Sequence, residues 1–172
     1  LLAIFVLAVF GMSARAQVGI YGKLDLNHHD DNNSNSSHML YGGGVGVYYN
    51  FVHEGPLTVG GDLRGDFLSG DNLDYRSLLF GLPLGFRIPV VHVKPYVEPL
   101  VGVGGAKATG PTGFGITPAY SSKLTYGFVG GLDVTVLPHL DWRAIEAGYT
   151  REKNGTLSDP NVLVSTGLVV RF

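Results

Sequence analysis

From Gln17 to Phe172 hydrophobic and polar positions alternate with a period of two. That is the repeat of a strand, whose side chains point by turns to opposite faces of a sheet. In QVGIYGKLDLN, Val18, Ile20, Leu24 and Leu26 share one face, and Tyr21, Lys23 and Asp25 the other. MLYGGGVGVYYN sets Met39, Tyr41, Val45, Val47 and Tyr49 against Gly42, Gly44, Gly46 and Asn50. LTVGGDLRGDF alternates Leu57, Val59, Leu63 and Phe67 with Thr58, Asp62, Arg64 and Asp66. SLLFGLPLGFRI places Leu78, Phe80, Leu82, Leu84, Phe86 and Ile88 opposite Gly81, Pro83, Gly85 and Arg87. YVEPLVGVGG opposes Val97, Val101 and Val103 to Glu98, Gly102 and Gly104. KLTYGFVGGLDVTV opposes Leu124, Tyr126, Phe128, Leu132 and Val134 to Lys123, Thr125, Gly127, Gly131 and Asp133. WRAIEAGYT alternates less cleanly; Ile145, Ala147 and Tyr149 are set outward so that Glu146 meets the polar side. The closing stretch carries Val162, Val164, Thr166, Leu168, Val170 and Phe172 on one face and Ser165, Gly167 and Arg171 on the other. The pattern predicts eight strands, and Pro83 and Pro99 predict bulges or strand ends within it.

The predicted connections alternate in length. Polar stretches at 28–38, 68–74, 108–122 and 151–160 follow the odd strands, and short turns follow the even ones. All the long loops therefore fall at one end of the sheet.

Composition decides what lies on each side. Only 15% of residues are charged, and 26 are Gly. The face opposite the apolar one is mostly Gly, Ser and Thr with a few charges of both signs. That is too little charge for a solvated surface, where about 25–35% is expected. It suits the inside of a narrow closed barrel, which eight strands leave just wide enough for side chains. The apolar face then meets lipid, with Tyr41, Tyr49, Phe67, Tyr75, Tyr126 and Tyr149 as interfacial girdles. Lipid also forces closure, because an open sheet edge would leave backbone groups unsatisfied. The fold expected is all-β: an eight-stranded antiparallel up-and-down transmembrane β-barrel. A soluble eight-stranded ligand-binding barrel is the alternative of another class.

The first residues read differently. An apolar run, Leu1–Phe10, is followed by Ala14-Arg15-Ala16. This predicts a signal peptide at 1–16, truncated at its start and cleaved before Gln17, leaving the barrel at 17–172. The net charge of −2 gives no footprint for nucleic acid. With no Cys there is no disulfide scaffold and no thiolate metal site.

The end of the chain carries a resemblance. GGLDVTVLPHLDWRAIEAGYTREKNG…NVLVSTGLVVRF, with eight strands and the Ala-x-Ala leader, resembles the closing hairpin of the outer-membrane β-barrel domain family, the small OmpA/OmpX-type barrels of Gram-negative bacteria. The resemblance covers Gln17–Phe172. It implies residence in the bacterial outer membrane and contact with its lipid. It also implies that Val164, Leu168, Val170 and Phe172 form the C-terminal signal read by the barrel-assembly machinery. Thr166 on the lipid side departs from that pattern. The family does not fix a role, which ranges from anchor to adhesin, pore or enzyme.

Candidate chemistry is sparse. His28, His29, Asp30 and Asp31 match no metal spacing and read as a solvated loop. The glycine runs at 41–46 and 102–107 open no helix and fit no phosphate loop. Asn32, Asn35 and Asn154 stand in Asn-x-Ser/Thr, relevant only where a host glycosylates. Lys23, Asp25, Asp62, Arg64, Asp66, Arg87, Glu98, Lys123, Asp133, Glu146 and Arg171 fall on the inward face. In a water-poor bore they are expected to pair, since an isolated buried charge is costly. The six His at 28, 29, 38, 53, 92 and 139 fall in loops or turns, away from these carboxylates. No enzyme, cofactor or metal is expected. The expected role is structural or interaction-based, with a side-chain-filled bore and outside loops free to meet a ligand. A narrow low-conductance pore is the main alternative, and a lipid-acting barrel enzyme a lesser one.

Overall fold

The computed structural model describes residues 17–31, 36–70, 73–88, 90–108, 120, 122–154 and 157–172. Residues 1–16, the expected leader, lie outside them, as does most of 109–121. The strands are β1 (Gln17–Asp31), β2 (Ser36–Glu54), β3 (Leu57–Gly70), β4 (Leu73–Gly81), β5 (Leu84–Phe86), β6 (Val93–Ala108), β7 (Lys123–Leu137), β8 (Leu140–Asn154) and β9 (Leu157–Arg171). Each pairs antiparallel with its neighbours. β1 pairs with β9 from Gly19↔Arg171 to His29↔Asn161, which closes the sheet on itself. β4 and β5 both lie between β3 and β6 and share one continuous register, so they form a single stave. The result is a closed eight-stave barrel.

The stave breaks at Leu82–Pro83, where Gly60 N–H donates to Pro83 O (3.0 Å) and Leu82 N–H to Pro99 O (3.2 Å). Pro99 lies opposite Leu82, so the two prolines without N–H groups meet at one interruption. Pro99 itself stays within β6, paired with Phe128. One irregular crossing costs less than two separate ones.

The two faces separate as the alternation predicts. Leu24 is 70% exposed and Phe128 62%, whereas Lys23 is 4% and Glu146 0%. The exposed face is apolar because its surroundings are hydrocarbon. Tyr75 is a correction: it is buried in the bore with Leu40 and Leu68 and is no part of the outer girdle. It lies in phase with Ser77, Leu79 and Gly81, all of which face inward.

The long polar connections are a second correction. β1 and β2 pair as far as Asp31↔Ser36, β3 and β4 to Gly70↔Leu73, and β8 and β9 to Asn154↔Leu157. Residues 28–38, 68–74 and 151–160 are thus mostly paired strand. A stave needs about 9–11 residues to cross the hydrocarbon, and β1 has 15 and β2 has 19. The surplus rises into water, where polar side chains carry no penalty and the apolar alternation fades.

At the other end, with Gln17 and Phe172, the turns are short. Gly55 takes φ +58° between β2 and β3, a backbone that glycine adopts without strain.

Candidate functional site

The bore is the candidate site, and one bulge shapes it. On β8, Arg143 pairs with Gly167 and Glu146 with Ser165, so β8 uses one residue more than β9 between the two contacts. Against β7, β8 again uses one residue more, with Leu132↔Ile145 and Asp133↔Arg143. Ala144 is the extra residue. It resets the alternation, so Arg143 and Glu146, three apart, both face inward.

Glu146 sits at the centre and is fully buried. It meets Arg64 Nη1 from β3 (3.0 Å), Arg143 Nη1 (3.2 Å) and Lys23 Nζ from β1 (3.5 Å). Tyr96 O–H and Ser165 O–H donate to it at 2.5 and 3.2 Å. Arg64 also holds Asp62 (2.9 Å) and Glu98 (2.5 Å). Arg143 grips Asp133 with Nε (3.0 Å) and Nη2 (3.3 Å). Lys23 reaches Asp25 at 3.0 Å and Asp66 at 2.9 Å. Tyr21 O–H donates to Asp62 (2.8 Å), and its ring lies 4.5 Å from the Arg143 guanidinium carbon. Glycines make room for this knot. A Cβ on Gly44 would stand 2.8 Å from Lys23 Cε, and one on Gly81 would overlap the Glu98 carboxylate.

Above and below the knot the bore changes character. Toward the end opposite the termini, Glu152 takes Asn161 Nδ2 (3.5 Å) and Lys123 Nζ (3.9 Å), and His29 Nδ1 contacts Asn161 Oδ1. Leu40, Leu68 and Tyr75 pack nearby, with Leu73 and Ala106 against them. Toward the termini, Asp141 is bridged by Lys94 and Arg171, both at 2.8 Å. This group lines a cavity of about 70 Å3 bounded also by Tyr48, Asp133 and Arg143.

Lys23, Asp25, Asp62, Arg64, Glu98, Asp133 and Glu146 therefore converge, Asp66 with them. Lys123 and Arg171 sit apart, toward the two ends. Arg87 is a correction: it follows the last residue of β5 and is exposed. Its N–H donates to Pro56 O (2.7 Å). The side chain stands at the rim of the lower cavity, beside Lys94 and Arg171 and open to water, rather than among the buried pairs. Arg143, Asp141, Glu152 and Lys94 enter the bore without having been singled out in the sequence. Ala144 masked the first two by breaking the alternation. Glu152 lay in what read as loop, and Lys94 in what read as turn.

The His-His-Asp-Asp run splits between faces. His28 turns outward against Met39 Sδ (3.3 Å), and His29 turns inward. The glycine runs at 41–46 and 102–107 lie in β2 and β6. Among the described residues no group of three or more His, Asp or Glu side chains could hold a metal ion.

Three solved barrels share this architecture. Neisserial surface protein A superposes with TM-score 0.61 at 16% identity, over 90% of this chain and 97% of that one. Ail, the attachment invasion locus protein of Yersinia pestis, gives 0.58 at 17% identity, over 91% and 99%. The outer membrane enzyme PagL gives 0.52 at 14% identity, over 84% and 97%. At such identities the likeness is one of fold. No curated protein matches the chain in sequence. The family described as outer membrane protein beta-barrel domain does match, over residues 1–172. With its closed barrel and apolar outer face, this chain belongs to the outer membrane protein beta-barrel domain family and resides in the bacterial outer membrane.

Proposed function

We propose that the protein is a plugged barrel with a structural or interaction role at the cell surface, and is neither an open pore nor an enzyme. The observation that carries this reading is the knot on Glu146, which ties β1, β3 and β8 together across the bore through Lys23, Arg64 and Arg143. Side chains in contact at these distances fill the bore at that level. Catalysis would need a nucleophile beside a base. His29, buried in the bore, faces an amide. The strand extensions above the membrane are the surfaces offered to an external ligand. Val164, Leu168 and Val170 point outward from β9, and Phe172 is 69% exposed beside them. That disposition supports their reading as the signal for the assembly machinery.

A narrow pore is the second reading, favoured by the cavity near the termini, which leaves that part of the bore open to water. Planar-bilayer recording separates the two. The plugged barrel conducts little in the wild type and more in Glu98→Ala or Arg64→Ala. The knot gathers three cations (Lys23, Arg64, Arg143) against six carboxylates (Asp25, Asp62, Asp66, Glu98, Asp133, Glu146). An Arg64→Ala leak should therefore favour cations. Steady wild-type conductance, unchanged in either variant, would overturn the plug.

A further inference from the structure

The outward face near the end opposite the termini is not uniform around the barrel. On β1, β2 and β9 it presents Leu26, His28, Met39, Tyr41 and Val162, with no lysine or arginine. On β4, β6 and β8 it presents Arg76, Lys107, Arg151 and Lys153. Asp74, held by Ser69 O–H (2.7 Å), is the acid among them. Residues 109–119 add no charge of either sign.

Two of these cations share one aromatic ring. The Arg76 guanidinium carbon lies 4.7 Å from the Tyr120 ring centroid, and Lys107 Nζ 5.7 Å from it. Below them runs an outward trough of about 350 Å3, lined by Gly65, Phe67, Leu78, Val103, Gly105 and Tyr120. The register sets Gly65 beside Leu78, Leu78 beside Val103, and Arg76 beside Gly105. The trough is therefore apolar for its length and cationic at its upper end. Its floor is low because glycines face outward there.

We propose that this trough binds a phosphorylated lipid of the outer leaflet, its phosphate on Arg76 and Lys107 and an acyl chain over Gly65, Leu78 and Val103. Guanidinium and ammonium groups fixed at a membrane boundary are phosphate ligands. A chain laid in the trough would cover the partly exposed backbone of Gly65 and the side chains of Leu78 and Val103 beside it. A free anion would gain from the cations but not from the trough. A zwitterionic lipid would fill the trough, but its own ammonium would oppose the two cations.

The test uses the barrel refolded in phosphatidylcholine nanodiscs with a small fraction of lipid A, a phosphorylated glycolipid. Lipid carried out with the protein into mild detergent is counted by native mass spectrometry. Wild type retains lipid A over phosphatidylcholine. Arg76→Gln with Lys107→Gln lowers that retention about tenfold, the scale expected when charge-assisted contacts are lost. Gly65→Val blocks the trough from below. A Cβ there meets nothing nearer than Ser77 O at 3.6 Å, so the barrel tolerates it, yet lipid A retention falls. His28→Gln, on the cation-free side, retains as much as wild type. Heat-modifiable gel migration confirms that each variant is folded. Lipid A retention unchanged in the double variant, or unchanged by Gly65→Val, overturns the proposal. So does displacement of lipid A by an equal concentration of inorganic phosphate, which would show that the chain contributes nothing.

Discussion

Glu146 and Asp141 stand five residues apart on β8, both inward, both almost wholly buried, and both paired with cations. Around Glu146 every approach is taken by protein: two guanidiniums, an ammonium, a phenol and a hydroxyl. Around Asp141 the partners are Lys94, whose side chain keeps 22% of its exposure, and Arg171 at the rim. One Asp141 oxygen has no hydrogen-bond partner, and the residue lines the lower cavity. A low exposure therefore describes two physical states. One carboxylate is sealed by protein donors, and the other lies at the edge of a space that water can share. Breaking a pair in the first state leaves a charge that nothing can solvate, whereas in the second water takes the vacated place.

That contrast orders the expected effects. Arg64→Ala removes the shared partner of Asp62, Glu98 and Glu146, and should cost about 3–5 kcal/mol. Denaturant unfolding in lipid vesicles checks it, and a cost below that of Asp141→Asn would reverse the comparison. Next comes the opposite face. Phe128→Arg near mid-bilayer should cost about 2–4 kcal/mol, measured in the same vesicles. No loss there would mean that Phe128 does not meet hydrocarbon. Asp141→Asn should cost less, about 1 kcal/mol, because Lys94 and Arg171 can turn to water. Thermal melts at low and high salt sharpen this case. The Asp141 effect should shrink with salt, and the Arg64 effect should not. Smallest of all, Gly22→Ala on the outer face should stay within about 0.5 kcal/mol of wild type. A Cβ there meets nothing within 4 Å. A larger shift would show that the Gly22 surface is covered by something rigid.

The sequence made the faces legible because a strand has one dominant rule, alternation, and a barrel in lipid has two dissimilar solvents to enforce it. Leu82, Phe128, Lys23 and Asp62 all lie where that rule puts them. It could not show which carboxylate meets Arg64. Glu98 and Glu146 reach it from other staves across the bore, and the stagger of the staves sets that meeting. The rule also failed where it changed phase or lost its solvent contrast. Arg143 and Asp141 were hidden by the bulge at Ala144. Glu152 and Tyr75 were hidden where strands leave the membrane and both faces can be polar. Arg87 kept its place in the alternation but fell beyond β5, at the water-exposed rim of the lower cavity.

The bulge at Ala144 has a consequence for how the gene can change. A stave with alternating faces behaves as a parity code: each residue added or removed exchanges inside for outside on one flank of the change. With Ala144 deleted, Arg143 and Trp142 could not keep their faces while Ile145 and Glu146 kept theirs. An arginine would turn to hydrocarbon, or Glu146 would leave its three cations. Neighbouring staves that lack the extra residue cannot supply the correction. Within the membrane this chain should therefore diverge by substitution, and by insertions of even length or at existing bulges. Single-residue insertions and deletions should collect in the strand tips above the membrane, where an inverted face meets the same water.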